Sequence, residues 1–275
     1  MGAKLRSIGL RTVATIVIAA LLLAGTSVRA FDEELQTIAT RPGVTQPFLL
    51  VKPDRPPVAS VILFAGGNGQ LALFAWATGE GKRGNFLVRS RALFAERGFL
   101  AAVVDAPSDR TADGLTGFRS TEAHAQDIAA VIAFLKQRAG VPVWLVGTSM
   151  GTVSAANAAA RVPQGVDGLV LTSSVTRASR RERESLKDVN LKAIALPTLF
   201  VHNKSDACRV TPYADIPAVM QELTRAPKVE LLSFEGGDTP RSDPCEAMSY
   251  HGYLGLESAV VEAIAKWIKA TSRVK

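Results

Sequence analysis

Residues 143–151 (VWLVGTSMG) set Ser149 between Gly147 and Gly151 in the pattern G-x-S-x-G, directly after an apolar run and before a stretch of small residues. Where a strand turns sharply into a helix, this spacing lifts a serine hydroxyl clear of the sheet. Glycines two residues to either side leave space where a Cβ would meet neighbouring backbone. The N–H groups that open the following helix then face negative charge developing beside the hydroxyl. The chemistry served is nucleophilic attack on a carbonyl carbon through a covalent acyl intermediate. The same five residues also arise by chance as a plain Gly-Ser turn; their place between an apolar run and a helical one argues for the catalytic elbow.

A serine hydroxyl is a weak nucleophile until a base takes its proton and an acid orients that base. The chain has three histidines. His251, in Ser249-Tyr250-His251-Gly252, follows the last strand pattern and precedes the last helical one, and is the expected base. His202 stands four residues before the candidate acid and reads as a support for its strand or loop. His124 precedes Ser149 and reads as a surface or capping residue. Asp206, in the run HNKSD, follows a strand pattern and lies between Ser149 and His251, the order Ser, Asp, His that this kind of elbow uses. Asp238 and Asp243, in the loop that carries His251, are its rivals. The oxyanion of a tetrahedral intermediate needs two N–H donors. Those expected are Met150, next to the nucleophile, and Gly67 in Gly66-Gly67-Asn68-Gly69, with Asn68 as the alternative.

These residues need elements to hold them. Apolar runs of strand length at 58–65, 99–105, 143–146, 168–172, 198–202 and 228–234 alternate with helical patterns at 86–97, 121–139, 151–161, 181–193 and 258–271. The strands lack polar alternation, so the fold class expected is α/β, a mainly parallel sheet with helices on both faces. Residues 46–52 (QPFLLVK) suit an antiparallel edge strand, because Pro47 and the following Pro53 fit poorly in a central one. No repeat and no long linker divides residues 31–275, which read as one domain.

With the AGGNG loop after a strand, GTSMG at the elbow, HNKSD after a later strand and YHG before the last helix, the chain resembles the α/β-hydrolase superfamily. The matching pieces span most of residues 31–275. The resemblance implies a single-domain α/β-hydrolase fold and esterase, lipase, thioesterase or peptidase chemistry on a small-molecule substrate. One departure is Ala65-Gly66-Gly67, where many relatives carry a His-Gly pair. Another is the short link between residues 172 and 196, which leaves little chain for a lid and implies an open site for small or flexible substrates. Residues 71–85, with Phe74 and Trp76, are candidates for the pocket wall.

The first thirty residues read as a signal peptide. Lys4, Arg6 and Arg11 lead a run of twelve almost wholly apolar residues, and Val28-Arg29-Ala30 offers a cleavage site. The apolar run is shorter than the roughly 20 residues a membrane span needs, so export to the periplasm or beyond is expected, with no stable membrane insertion after cleavage. Losing Lys4, Arg6, Arg11 and Arg29 lowers the net charge from +7 to +3, which gives no reason to expect a nucleic-acid partner. In an exported protein an even cysteine count suggests a bridge. Joining Cys208, two residues after Asp206, to Cys245, six before His251, would tie the acid loop to the base loop.

Two rivals belong to other classes. Gly67–Ala72 matches G-x-G-x-x-A after a strand, but Asp105 lies too far on for a dinucleotide fingerprint and residues 78–84 break the helix that should follow. A non-catalytic protein that keeps the fold is opposed by the full set of triad candidates. There is no H-E-x-x-H run or clustered ligand spacing for a metal, and no cofactor is expected.

Overall fold

A computed structural model of the chain describes Gly2, residues 31–179 and residues 183–272. The chain divides into two units, residues 1–30 and 31–275; apart from Gly2, the expected leader lies outside the described residues. The second unit carries the fold. Among the described residues no helix is long and apolar enough to cross a membrane.

Eight strands form one sheet in the order β1-β2-β4-β3-β5-β6-β7-β8. They are β1 (Asp32–Arg41), β2 (Val44–Lys52), β3 (Ala59–Phe64), β4 (Phe99–Val104), β5 (Val143–Thr148), β6 (Gly168–Thr172), β7 (Thr198–Asn203) and β8 (Val229–Phe234). From β4 onward in the order every pairing is parallel. β1 and β2 form an antiparallel hairpin, and β2 is antiparallel to β4. Residues 46–52 are therefore antiparallel, as expected, but they are not the edge. Pro47 lies one residue before the ladder that joins Phe48–Val51 to β4, so its missing N–H breaks no bond there. The edge on that side is β1, whose charged alternation (DEELQTIATR) hides a strand exposed along one face, as suits a protected sheet edge.

Alternate residues of each central strand enter opposite cores, which is why the strands read as unbroken apolar runs. Ile62, Phe64, Val143 and Leu145 pack with α3 (Glu122–Ala139) and α4 (Gly151–Arg161). Val61, Leu63, Trp144 and Val146 pack with α1 (Phe86–Arg89), α2 (Arg91–Glu96) and α6 (Glu257–Ser272). The helical pattern at 86–97 is thus two short helices that part at Ser90. The helix expected at 181–193 is replaced by two 3-10 turns, Leu186–Asp188 and Leu191–Ala193, with residues 180–182 outside the described residues. A capping box at Ser185 and burial of Leu186, Leu191 and Ile194 favour these tight turns over a solvated charged helix. Between β6 and β7 the described residues hold no lid domain, and the second unit has an α/β-hydrolase fold. A short helix, α5 (Ile216–Gln221), follows β7.

His124 departs from its expected surface role. Its backbone N–H donates to the capping Thr121 hydroxyl, but the ring is buried against Phe118 with neither nitrogen hydrogen-bonded among the described residues. It shares the inward face of α3 with Ile128, Val131 and Leu135, at helical spacing. Burial, helped by the nearby Arg119 and Arg41 guanidiniums, lowers its pKa from 6.5 to about 3. The unfolded chain therefore binds a proton the folded chain refuses. This contribution to stability is whole above about pH 6.5 and is lost as the pH falls towards 3. His124→Leu should accordingly flatten the fall of the urea midpoint between pH 6 and pH 4; an unchanged slope would contradict the assignment.

Candidate active site

β5 ends at Thr148, and the backbone turns into the left-handed region at Ser149, with φ +53°. Such a conformation costs a non-glycine residue on the order of 1–3 kcal/mol and persists only where its surroundings fix it. Here they do. The Ser149 N–H donates to the Thr172 carbonyl at 3.0 Å, and the N–H and hydroxyl of Thr152 donate to the Ser149 carbonyl at 2.9 and 2.6 Å. The two glycines are sterically required: a Cβ on Gly151 would stand 2.0 Å from the Phe64 carbonyl oxygen, and one on Gly147 would stand 2.4 Å from the Gly151 carbonyl oxygen. Gly66 is as constrained, since its Cβ would meet that of Ser149 at 2.8 Å.

Asp206 and His251 come together although 45 residues separate them. The Asp206 Oδ2 lies 2.9 Å from His251 Nδ1, with both side chains buried. A carboxylate only accepts, so Nδ1 carries the imidazole proton and the Nε2 lone pair is left to take another. The carboxylate is fully oriented: Oδ1 accepts from the Cys208 N–H and Oδ2 from the Thr211 hydroxyl, each at 2.9 Å. Thr211 Oγ1 is also 3.2 Å from His251 Nδ1, a contact no sequence pattern announces. Asp238 and Asp243, the rival acids, have no bond to His251.

His202 supports this loop as expected. Its Nε2 donates to the Thr211 carbonyl at 2.8 Å and stands 3.6 Å from Asp206 Oδ2. Burial pushes its pKa down against the pull of Asp206, which keeps it a neutral neighbour and leaves the carboxylate to His251. The turn Tyr250–Gly252 that carries His251 is bound on several sides. The Ser173 hydroxyl donates to the His251 carbonyl at 2.8 Å, and Arg89 donates to the Gly252 carbonyl at 2.6 Å while pairing with Glu257. A Cβ on Gly252 would stand 1.9 Å from the Ala247 carbonyl oxygen, which explains the glycine after the histidine. Cys208 and Cys245 form a disulfide that joins the Asp206 loop to the segment leading into His251.

Ser149 and His251 line one cleft of about 570 Å³ together with Gly66, Gly67, Asn68 and Met150. From the segment expected to wall it, Leu71, Lys82 and Asn85 contribute. Phe74 and Trp76 do not: Phe74 is exposed, and Trp76 lies beneath the guanidiniums of Arg83 and Arg91. Asp105, the carboxylate of the dinucleotide rival, accepts from the N–H groups of Leu71, Leu73 and Ala106 and so pins the loop after β3. Its oxygens face backbone, not a ribose.

The family model described as serine aminopeptidase, S33, matches residues 78–216, a span that includes Ser149 and Asp206 and ends before His251. No curated protein matches the sequence. Among solved structures, Est1E from Butyrivibrio proteoclasticus is similar with a TM-score of 0.59 at 16% identity, over 86% of this chain and 98% of its own. XC6422 from Xanthomonas campestris, an α/β serine hydrolase without lid, gives 0.57 at 14% identity, over 86% and 95%. The esterase Pf2001 of Pyrococcus furiosus gives 0.58 at 13% identity, over 88% and 91%. At these identities the likeness to solved structures speaks for the fold alone.

The bridge closes a loop of 37 residues, for which chain entropy suggests a contribution of about 3–4 kcal/mol. A non-reduced digest should contain the peptide linked through Cys208 and Cys245, and Cys245→Ser should lower the unfolding free energy in urea by that order. Equal stability of the two proteins without reductant would contradict it.

Proposed function

Because the chain belongs to the α/β-hydrolase family described as serine aminopeptidase, S33, we propose that it is an exported serine hydrolase cleaving an ester-type bond, a carboxylic ester or thioester, by way of an acyl-enzyme. The observation that carries this reading is the Asp206–His251 hydrogen bond, whose histidine lines the same cleft as a left-handed Ser149. Ser149 Oγ attacks the carbonyl carbon while His251 Nε2 takes its proton, and the Asp206 carboxylate stabilises the resulting imidazolium. The N–H groups of Met150 and Gly67, with Asn68 as the alternative second donor, hold the oxyanion. As the intermediate collapses, the leaving alcohol or thiol departs with the proton from His251. Water then repeats the sequence on the acyl-enzyme, returning the proton to Ser149 Oγ and releasing the acid.

A cleft with no lid domain among the described residues supports a small or flexible substrate over a long buried acyl chain. The disulfide beside the triad and the basic-apolar leader of residues 1–30 support export, with cleavage after Ala30. An amide or peptide bond is the second reading, favoured by the aminopeptidase description of the matching family.

Mature protein should react with a fluorophosphonate probe, and Ser149→Ala should abolish labelling and lower ester hydrolysis roughly 10⁴-fold or more. Labelling that survives the substitution would remove Ser149 from the reaction. A panel of short and long acyl esters, thioesters and aminoacyl amides separates the two readings: turnover confined to the amides would overturn the ester assignment.

A further inference from the structure

Arg119 is a buried cation that the chemistry above does not use. Only 1% of it is exposed, and a guanidinium so placed is costly to desolvate unless its donors are engaged. One terminal nitrogen, Nη2, donates to the carbonyls of Ala65 and Gly67, each at 3.0 Å, and the other, Nη1, to the Ser154 hydroxyl at 2.7 Å. Ala65 and Gly67 belong to the loop after β3. Ser154 belongs to the first turns of α4, the helix that Met150 opens. One side chain thus ties together the two backbone segments expected to supply the oxyanion donors.

The loop's remaining carbonyls are also committed. Asn68 O accepts from the Leu115 N–H at 2.7 Å, and Gly66 O from the Gly69 N–H at 3.3 Å. Every carbonyl from residue 65 to 68 therefore accepts a hydrogen bond, those of Ala65 and Gly67 from the same Arg119 nitrogen. Carbonyl dipoles turned into the site would repel an oxyanion, whereas in a trans peptide the next N–H points opposite to a carbonyl so held. Arg119 on the Gly67 carbonyl sets the Asn68 N–H directly, and Gly69 on the Gly66 carbonyl sets that of Gly67. The local sequence is shaped to this clamp: a Cβ on Gly69, at φ +72°, would stand 2.6 Å from Arg119 Nη2, and one on Gly114 would stand 2.4 Å from the Asn68 carbonyl oxygen. The turn bearing Arg119 is itself anchored by the largely buried Glu184, which accepts from the N–H groups of Gly117 and Ser120 and from the Ser120 hydroxyl.

We propose that Arg119 is a positioning residue of the oxyanion site, holding the 65–68 loop against α4 so that its N–H donor and that of Met150 keep their separation. This rests on the acyl-transfer reading of Ser149. Arg119 touches no substrate; it acts through the backbone it holds.

The test is kinetic, on Arg119→Met, with rates normalised to sites titrated by a fluorophosphonate. Loss of preorganisation should lower kcat per titrated site about 10–100-fold with KM within about threefold. It should also raise the Ki of a trifluoromethyl ketone, which forms an oxyanion on Ser149, in parallel with the fall in kcat/KM. A purely structural role would lower the titrated fraction and leave kcat per site within about twofold of wild type; that result overturns the proposal. If Arg119→Met does not fold, Ser154→Ala removes one leg of the clamp, and a kcat per site and Ki both equal to wild type overturn it equally. Wild-type protein that fails to label at Ser149 defeats the acyl-transfer reading instead, so the two failures are distinguishable.

Discussion

The candidate site depends on one close approach, the Phe64 carbonyl against the α carbon of Gly151. It exists because β3 and β5 are parallel neighbours with Phe64 opposite Gly147, so both strands deliver their C-terminal ends to the same place. The chain leaving β5 must then turn at once, and the left-handed Ser149 is the means. With no room for a Cβ at 66, 147 or 151, the loop after β3 and the first turn of α4 lie directly on either side of the serine. Backbone strain at one residue is thereby held by packing on the central strands, which are buried on both faces.

The proposed acid and base reach this point by a different kind of construction. They come on loops, after β7 and after β8, where no sheet ladder fixes them. Polar bonds and one covalent link take the place of packing. Asp206 is oriented by a backbone N–H and by Thr211, and His251 by Asp206, with Ser173 holding its own carbonyl and Arg89 that of Gly252. The disulfide sets the distance between the two loops. Neutral His202 below them adds rigidity without competing for the carboxylate. The proposed nucleophile is thus positioned by sterics and the proposed base by hydrogen bonds, and Arg119 joins the two sides of the elbow by a buried charge.

The elements that bury both faces were legible in the sequence because their apolar runs admit few other fates: the parallel strands, α3, α4 and α6 fall where the patterns put them. The elbow was legible for the same reason, a motif set between a strand and a helix. His251 and Asp206 followed from histidine scarcity and chain order, and the structure brings those two together. What stayed hidden lies where local pattern and tertiary context part. β1 is a charged sheet edge that resembles a polar tail. The 181–193 stretch has helical charge spacing but spends its leucines on tight turns. His124 carried a readable signal, its place on the apolar stripe of α3. Thr211 and Arg119 carried none: their importance arises only when loops distant in sequence meet.

Whether Ser149 carries the acyl group is decided by acid-quench mass spectrometry. Mature protein mixed with p-nitrophenyl acetate and quenched in acid during the first turnovers should show a single acetyl adduct, mapped to the peptide that contains Ser149, accompanied by a burst of nitrophenol equal to the titrated sites. Turnover of the ester with no adduct on that peptide, or with an adduct on another residue, would remove Ser149 from the role of nucleophile.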